Sequence, residues 1–406
     1  MADSDTASRF PVPFREFITL MAMMISITAL SLDAVLPILS VVGHDLSIKN
    51  DNQTQYIIGT LLLGLTLGQL LYGPLADSYG RKFSVYLGLL IFVGGCFMSL
   101  FATSFSVMLL GRFLQGFGAA APRVASIAIV RDRFTGREMA RVMSFVMAVF
   151  IFVPVIAPAM GEIVMSISHW RMVFALFVVM AVFTAAWMAL RLPETLKPED
   201  RHPFNLNDIG YSFRTVLTNK QTLGHTISAG LVFSCLIAYL SCARQIYQDY
   251  YHTGHLFAFY FALSALSVGV ASLVNSGIVR RLGMHRISRL GLIALVAVSA
   301  LFLASNMLYS TQTPLLHFML FAVLSFFTLG LLFGNLNAMA MEPMGHQAGI
   351  ASSVIGALTS AISTILGGLI GQAYDMTLIP LTLGFLILGL LALAVEVRLS
   401  TLQGGI

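Results

Sequence analysis

Long apolar runs alternate with short polar breaks along almost the whole chain. A helix needs about 20 apolar residues to cross a bilayer. Twelve runs reach that length, near 17–40, 54–72, 83–103, 106–130, 138–166, 170–190, 223–247, 256–279, 287–309, 314–341, 348–372 and 376–398. Most breaks are only a few residues long. The exception is 191–222, which is polar and contains PETLKPEDRHPF. It divides the runs into two sets of six. The pattern therefore predicts an all-α polytopic membrane protein: a first six-helix half over 1–190, a linker over 191–222 and a second half over 223–406. Within the linker, Ile209, Phe213, Val216 and Leu217 share one helical face, which predicts a short amphipathic helix on the membrane surface.

Composition supports the span count. Hydrophobic residues make up 57% of the 406 residues and charged residues 10%, with a mean hydropathy of +0.86. A soluble domain carries about 25% charged residues. The net charge of +5 is therefore not read as a nucleic-acid signal. It is an orientation signal instead. With the N-terminus inside, eighteen of the 23 Lys and Arg fall in cytoplasmic segments and two, Lys49 and Arg171, in outer loops. That bias predicts both termini in the cytoplasm. The remaining three, Arg112, Arg123 and Arg244, fall within spans. No signal peptide is expected, because the first run is long and has no small-residue cleavage site. Cys96, Cys235 and Cys242 lack disulfide or zinc spacing and are expected to be packing residues.

A faint repeat relates the halves. GPLADSYGRK follows span two and SGIVRRLGMHR follows span eight, with Gly80 and Gly283 in corresponding places. Two similar six-span halves in parallel orientation are a transporter architecture, with the substrate held between them near the midplane.

Several motifs together make the chain resemble the Bcr/CflA branch of the major facilitator superfamily, which are bacterial drug:proton antiporters. These are SLDAVLPILSVV in span one, GQLLYGPLADSYGRK between spans two and three, RFLQGFGAAA…RD in span four and PVIAPAMG in span five. HWRMVF, PETL and GIASSVIGAL match in type and order. The resemblance implies the twelve-helix major facilitator fold in a bacterial inner membrane. It also implies a conformational gate of Gly73, Asp77, Gly80, Arg81, Lys82 and Asp132, with Arg81 paired to Asp132 and Asp77 capping a helix of the other half in the outward-open state. Pro154, Pro158 and Gly161 match the antiporter motif, which bends and seals span five. One departure is Glu162, a carboxylate where the family usually has a second glycine.

Arg112 and Arg123 are eleven residues apart in span four. They differ by about 1100° of helix rotation, or roughly 20° after whole turns. Both therefore lie on one face, with Gln115 and Ala119 between them, and that face should look into protein or water. Asp33 and Glu162 lie at a depth similar to Arg112, so the three are expected to neutralise one another, with one carboxylate left to titrate. Asp33 is the expected proton carrier, with Arg112 tuning its pKa or competing for it; the resemblance supports both, Asp33 as the span-one acid and Arg112 as the span-four arginine. Arg123 has no acid at its depth in the first half and is expected to contact substrate, an anionic or strongly dipolar one. Gln115, Tyr239, Asn335 and Asn337 are further substrate-binding candidates.

The function expected is proton-coupled efflux of amphiphilic drugs or toxic small molecules by alternating access. The alternative is export of a metabolite such as an amino acid, a siderophore or a sugar-like compound. Uptake by symport fits less well, because the PVIAPAMG motif accompanies antiport. An enzyme would need a catalytic constellation, and no HExxH, GxSxG or paired intramembrane histidines occur. Protons, substrate and lipid are the expected partners of a monomer. No metal, ATP or other cofactor is expected.

Overall fold

The fold was analysed in a computed structural model, which describes residues 12–134, 136–201, 204–308 and 312–403. The chain is a bundle of helices. α1 (Phe14–Asp33) breaks at Pro37 and resumes as α2 (Leu39–Asp45). α3 (Tyr56–Tyr79), α4 (Arg81–Leu100), α5 (Phe105–Arg133), α6 (Gly136–Ile151), α7 (Val153–Ile167) and α8 (Arg171–Arg191) complete a first packed set. A short helix α9 (Leu206–Thr218) leads to the second set. That set is α10 (Lys220–Arg244), α11 (Phe257–Leu282), α12 (Met284–Leu308), α13 (Leu315–Met341), α14 (Ala348–Gln372) and α15 (Ile379–Gln403). Among the described residues, eleven helical segments are long and apolar enough to cross a membrane, and α7 is a shorter apolar helix.

The count differs from twelve for a local reason. The run over 138–166 is interrupted between Ile151 and Val153, one residue ahead of Pro154, and divides into α6 and α7. Proline at that place lacks an N–H and ends the hydrogen-bond ladder.

Small residues set the helix spacing in the first set. A Cβ on Gly116 would lie 1.8 Å from the Leu61 carbonyl oxygen, so α5 and α3 touch backbone to backbone there. In the absence of a hydrophobic drive inside lipid, such close approach is how helices hold together. Gly80 and Gly283, which the repeat aligns, end α3 and α11 with φ of +103° and +77°. Both turns use the left-handed region that a side chain would strain.

Ion pairs fasten the first set at both ends. At one end Asp45 accepts from Trp170 Nε1 at 3.0 Å and pairs with Arg171 at 2.8 Å. At the other, Glu16 accepts from Trp187 Nε1 at 3.0 Å and pairs with Arg191 at 2.6 Å. The first and last helices of the set are thus stapled top and bottom.

The amphipathic segment forms α9. Val216 is buried in a small cluster with Ala340, Met344, Ala351, Val354 and Ile355 of the second set, while Phe213 and Leu217 are exposed. α9 is therefore docked on protein by Val216 as well as presenting an apolar edge outward. The Ile209 side chain lies outside the described residues.

Candidate translocation site and gates

Asp33 closes α1. Four residues on, Pro37 has no N–H to give to the Asp33 carbonyl, so the helix breaks there. The side chain is 4% exposed. Among the described residues no hydrogen bond or ion pair engages its carboxyl. A broken helix deep in a bundle, with a carboxyl beside the break, is the arrangement that membrane transporters use to bind ions.

Arg112 is fully buried, but its guanidinium is taken up by other groups. Nε donates to the Ile57 carbonyl at 3.1 Å, Nη1 to Gln115 Oε1 at 2.8 Å and Nη2 to the Ser31 carbonyl at 2.8 Å. The Phe174 ring centroid lies 6.0 Å from its Cζ. The expected ion pair with Asp33 is not formed. The carbonyls at the end of α1 and the start of α3 satisfy the cation in place of a carboxylate. Gln115 is likewise engaged, since its Nε2 donates to the Gly95 carbonyl at 3.0 Å and to Ser99 Oγ at 2.8 Å. Arg112 and Gln115 together tie α1, α3, α4 and α5.

Gly161 of the PVIAPAMG stretch lies against the break that follows Asp33. A Cβ there would sit 2.1 Å from the Ala34 carbonyl oxygen. Pro158 is buried beside it, Pro154 is half-buried one turn earlier, and Glu162 is half-buried. The motif therefore packs α7 onto the residue that follows Asp33.

Arg123, three turns along α5 from Arg112, is half-buried. No hydrogen bond or ion pair holds its guanidinium among the described residues. In the second set, Tyr239 is buried and its hydroxyl lies 3.0 Å from that of Tyr247 and 3.3 Å from Ser264 Oγ. The Phe261 ring lies tilted against it and the Phe326 ring meets it edge to face. Asn335 and Asn275 exchange side-chain hydrogen bonds, the shorter at 2.8 Å. Asn337 is exposed and donates to the Phe333 carbonyl at 2.9 Å.

The loop around Gly80 is a charge cluster. Arg81 pairs with Asp132 at 2.8 Å and with Asp77. Asp77 thus faces Arg81 inside its own set in this conformation. Glu194, from the PETL motif, joins this cluster although no role was expected of it. Its carboxylate accepts the backbone N–H groups of Arg81 and Lys82 at 3.0 and 3.1 Å, and so caps α4. Lys82 Nζ donates to the Leu192 carbonyl at 2.7 Å. An acid just beyond span six, facing a helix start with no capping side chain of its own, was the available signal. Gly73 marks where α3 meets α14, since a Cβ there would lie 2.4 Å from Ser353 Oγ.

At the opposite end, α3 and its leading turn meet α10 and α14 through amides. Gln55 Nε2 donates to Gln245 Oε1 at 2.8 Å, and Gln245 Nε2 to Asn52 Oδ1 at 2.8 Å. Asn52 Nδ2 donates to the carbonyls of Gln372 and Tyr374, at 3.1 and 2.9 Å. Gln372 Nε2 returns a bond to the Asn52 carbonyl at 2.7 Å. These residues join the two sets and close that end of the bundle. None stood out in sequence, because single amides at span ends are common.

Two packed sets, a broken first helix and a charged turn repeated at Gly80 and Gly283 suit a carrier, and the comparison with known families decides which. The sequence profile of the Major Facilitator Superfamily matches residues 19–368. The chain belongs to that superfamily. Within it, the chain is 29% identical over 375 residues to the bicyclomycin resistance protein homolog of Haemophilus influenzae, covering 90% of this chain and 91% of that protein. It is 29% identical over 369 residues to the uncharacterized MFS-type transporter YdgK of Bacillus subtilis, covering 89% and 90%. It is 28% identical over 256 residues to the multidrug resistance protein MdtM of Escherichia coli K12, covering 62% and 60%. The crystal structure of the human organic anion transporter MFSD10 superposes with a TM-score of 0.68 at 16% identity, covering 95% of this chain and 99% of that one. That likeness shows the superfamily fold. In this superfamily member, the Gly80 cluster and the amide contacts occupy opposite ends of the same helix, α3.

Proposed function

We propose that the protein is a proton-coupled exporter of amphiphilic drugs or toxic small molecules in a bacterial inner membrane. α6 and α7 form one span, which makes twelve spans in halves of 1–190 and 223–406, joined by 191–222. Both chain ends and the Gly80 cluster lie on the cytoplasmic side, and the amide contacts lie on the periplasmic side. The protein works as a monomer, without metal or other cofactor, and the proton is its coupling ion.

The observation that carries this reading is Asp33: a buried carboxyl at the break in α1 with no hydrogen bond or ion pair among the described residues. A group so placed has room to take a proton as substrate leaves and to lose it on the other side. Arg112, held by carbonyls, fixes the backbone on which Asp33 rests. Glu162 stands beside Gly161 as a second acid near the same break. Gly73, Asp77, Gly80, Arg81, Lys82 and Asp132 form the cytoplasmic gate, and Pro154, Pro158 and Gly161 bend span five as access alternates. The similarity to bicyclomycin and multidrug resistance proteins supports a drug-like substrate.

Arg123 supplies the recognising charge in the cavity, with Tyr239, Asn335 and Asn337 as supporting polar groups; Gln115, expected among them, is committed to Arg112, Gly95 and Ser99 instead. Its unengaged guanidinium also favours the second reading, export of an anionic or dipolar metabolite. Energised cells lacking their main exporters test the first. Expression of the protein should lower the accumulation of several amphiphilic antibiotics, and a protonophore should restore it. Accumulation that is unchanged for all of them, with a secreted metabolite appearing instead, supports the second.

A further inference from the structure

We propose that His225 and Glu396, with His285 beside them, form a second proton-binding site, in the second set of helices and distinct from Asp33.

The two residues come from different helices. His225 stands in the second turn of α10 and Glu396 about two turns before the end of α15. His225 Nδ1 lies 3.0 Å from Glu396 Oε1. Their side chains are 3% and 8% exposed. Packing pins them together: Gly224 meets Leu399, and a Cβ on that glycine would lie 2.6 Å from a Leu399 methyl.

Ionisable groups are costly to bury in a membrane helix, and those retained there usually bind ions or protons. A histidine facing a carboxylate is a particular case. A proton can be shared between them, as imidazolium with carboxylate or as imidazole with carboxylic acid, and the carboxylate oxygens leave room for a second. Imidazole is also the side chain whose charge changes in the physiological range.

A proton needs a way in, and the structure supplies one. The ring of His285, on α12, lies 5.8 Å from that of His225, centroid to centroid, and His285 is exposed. The three groups form a row from solvent to the buried carboxyl. The other charged groups near this end include Arg214 on α9, Lys220 on α10, Arg280 and Arg281 on α11, Arg286 and Arg289 on α12, Glu342 after α13 and Arg398 on α15. All are exposed, and none pairs with His225 or Glu396 among the described residues. The site is therefore buried yet one side chain away from solvent, on the side of the bundle that holds Gly80.

Proton uptake by the purified full-length protein tests this without any substrate, so the result stands apart from the efflux reading. The protein in detergent is stepped from about pH 8 to about pH 5, and the protons taken up are counted for wild type, H225Q, E396Q and the double variant. The expected result is that the double variant takes up about one proton fewer than wild type, while each single variant, which keeps one of the two groups, takes up its proton over a shifted pH range. Asp33→Asn should leave this loss intact. Uptake that is unchanged in the double variant overturns the proposal and leaves the pair as a static clamp between α10 and α15. Should E396Q fail to fold, infrared difference spectra of the wild type over the same step, with His285→Asn as comparison, take its place. A carboxyl band that forms on acidification, and forms more slowly in His285→Asn, supports the site. No carboxyl band in the wild type overturns it.

Discussion

Gln55 and Gln245 meet amide to amide across the two sets of helices, Nε2 to Oε1 at 2.8 Å. The contact belongs to a pattern. The six ion pairs identified among the described residues all lie inside one set or the other. Among the described residues, the side-chain hydrogen bonds identified between the sets run through Asn52, Gln55, Gln69, Gln245 and Gln372, which are all neutral. Charges make each set stiff, and amides, whose bonds water can replace at little net cost, make the joint between sets reversible. A carrier that rocks two rigid halves needs this division.

Removing the amides should unlatch that end. Each net hydrogen bond contributes about 1 kcal/mol, so losing one shifts a two-state equilibrium about fivefold. Gln55→Ala and Gln245→Ala should each raise the labelling of a cysteine placed inside the cavity by a membrane-impermeant reagent added from the Asn52 side. The pair of changes should raise it further, and thermal stability should hardly change.

Arg112 should behave as a scaffold. Arg112→Ala strands the Ile57 and Ser31 carbonyls and Gln115, at about 1–3 kcal/mol for each buried group. The melting temperature in detergent should fall sharply. Arg112→Lys should recover little of it, because an ammonium cannot aim three donors along the directions of a planar fork.

Glu194→Gln keeps a hydrogen-bond acceptor but removes the charge that faces the α4 N-terminus and the Arg81 and Lys82 N–H groups. A loss of about 1 kcal/mol is expected in thermal unfolding. Glu194→Ala should lose more. Hydrogen exchange should rise at Arg81 and Lys82 first.

Gly161→Val should stop alternation without unfolding the protein. Its side chain would press on the Ala34 carbonyl, which is 2.1 Å from where a Cβ would stand. α7 must shift away from the break beside Asp33. The expected outcome is normal expression and membrane insertion with transport reduced at least tenfold. Gly161→Ala should fall between this variant and wild type.

The sequence made the spans legible because lipid demands long apolar runs, and the polar 191–222 segment made their division legible. The turns at Gly80 and Gly283 could be matched because a positive φ leaves a glycine behind. The partners of Arg112 could not be read. Backbone carbonyls carry no sequence signal, and depth alone suggested Asp33. The split of 138–166 was hidden because Pro154 and Pro158 leave the apolar run intact while breaking its hydrogen bonds. The amide contacts were hidden for another reason: Asn52 and Gln372 are 320 residues apart, and nothing in either neighbourhood announces the other.

The most direct measurement follows proton movement in inverted membrane vesicles holding wild type or Asp33→Asn. A transmembrane pH gradient is set up, and cationic, neutral and anionic amphiphiles are added in turn. Some compounds should dissipate the gradient in wild-type vesicles and none should do so in Asp33→Asn, with both proteins folded and present in equal amounts. Arg123→Ala should then narrow the responding set by losing its anionic or dipolar members. Full coupling in Asp33→Asn would contradict the account and move the titrating site to Glu162 or elsewhere.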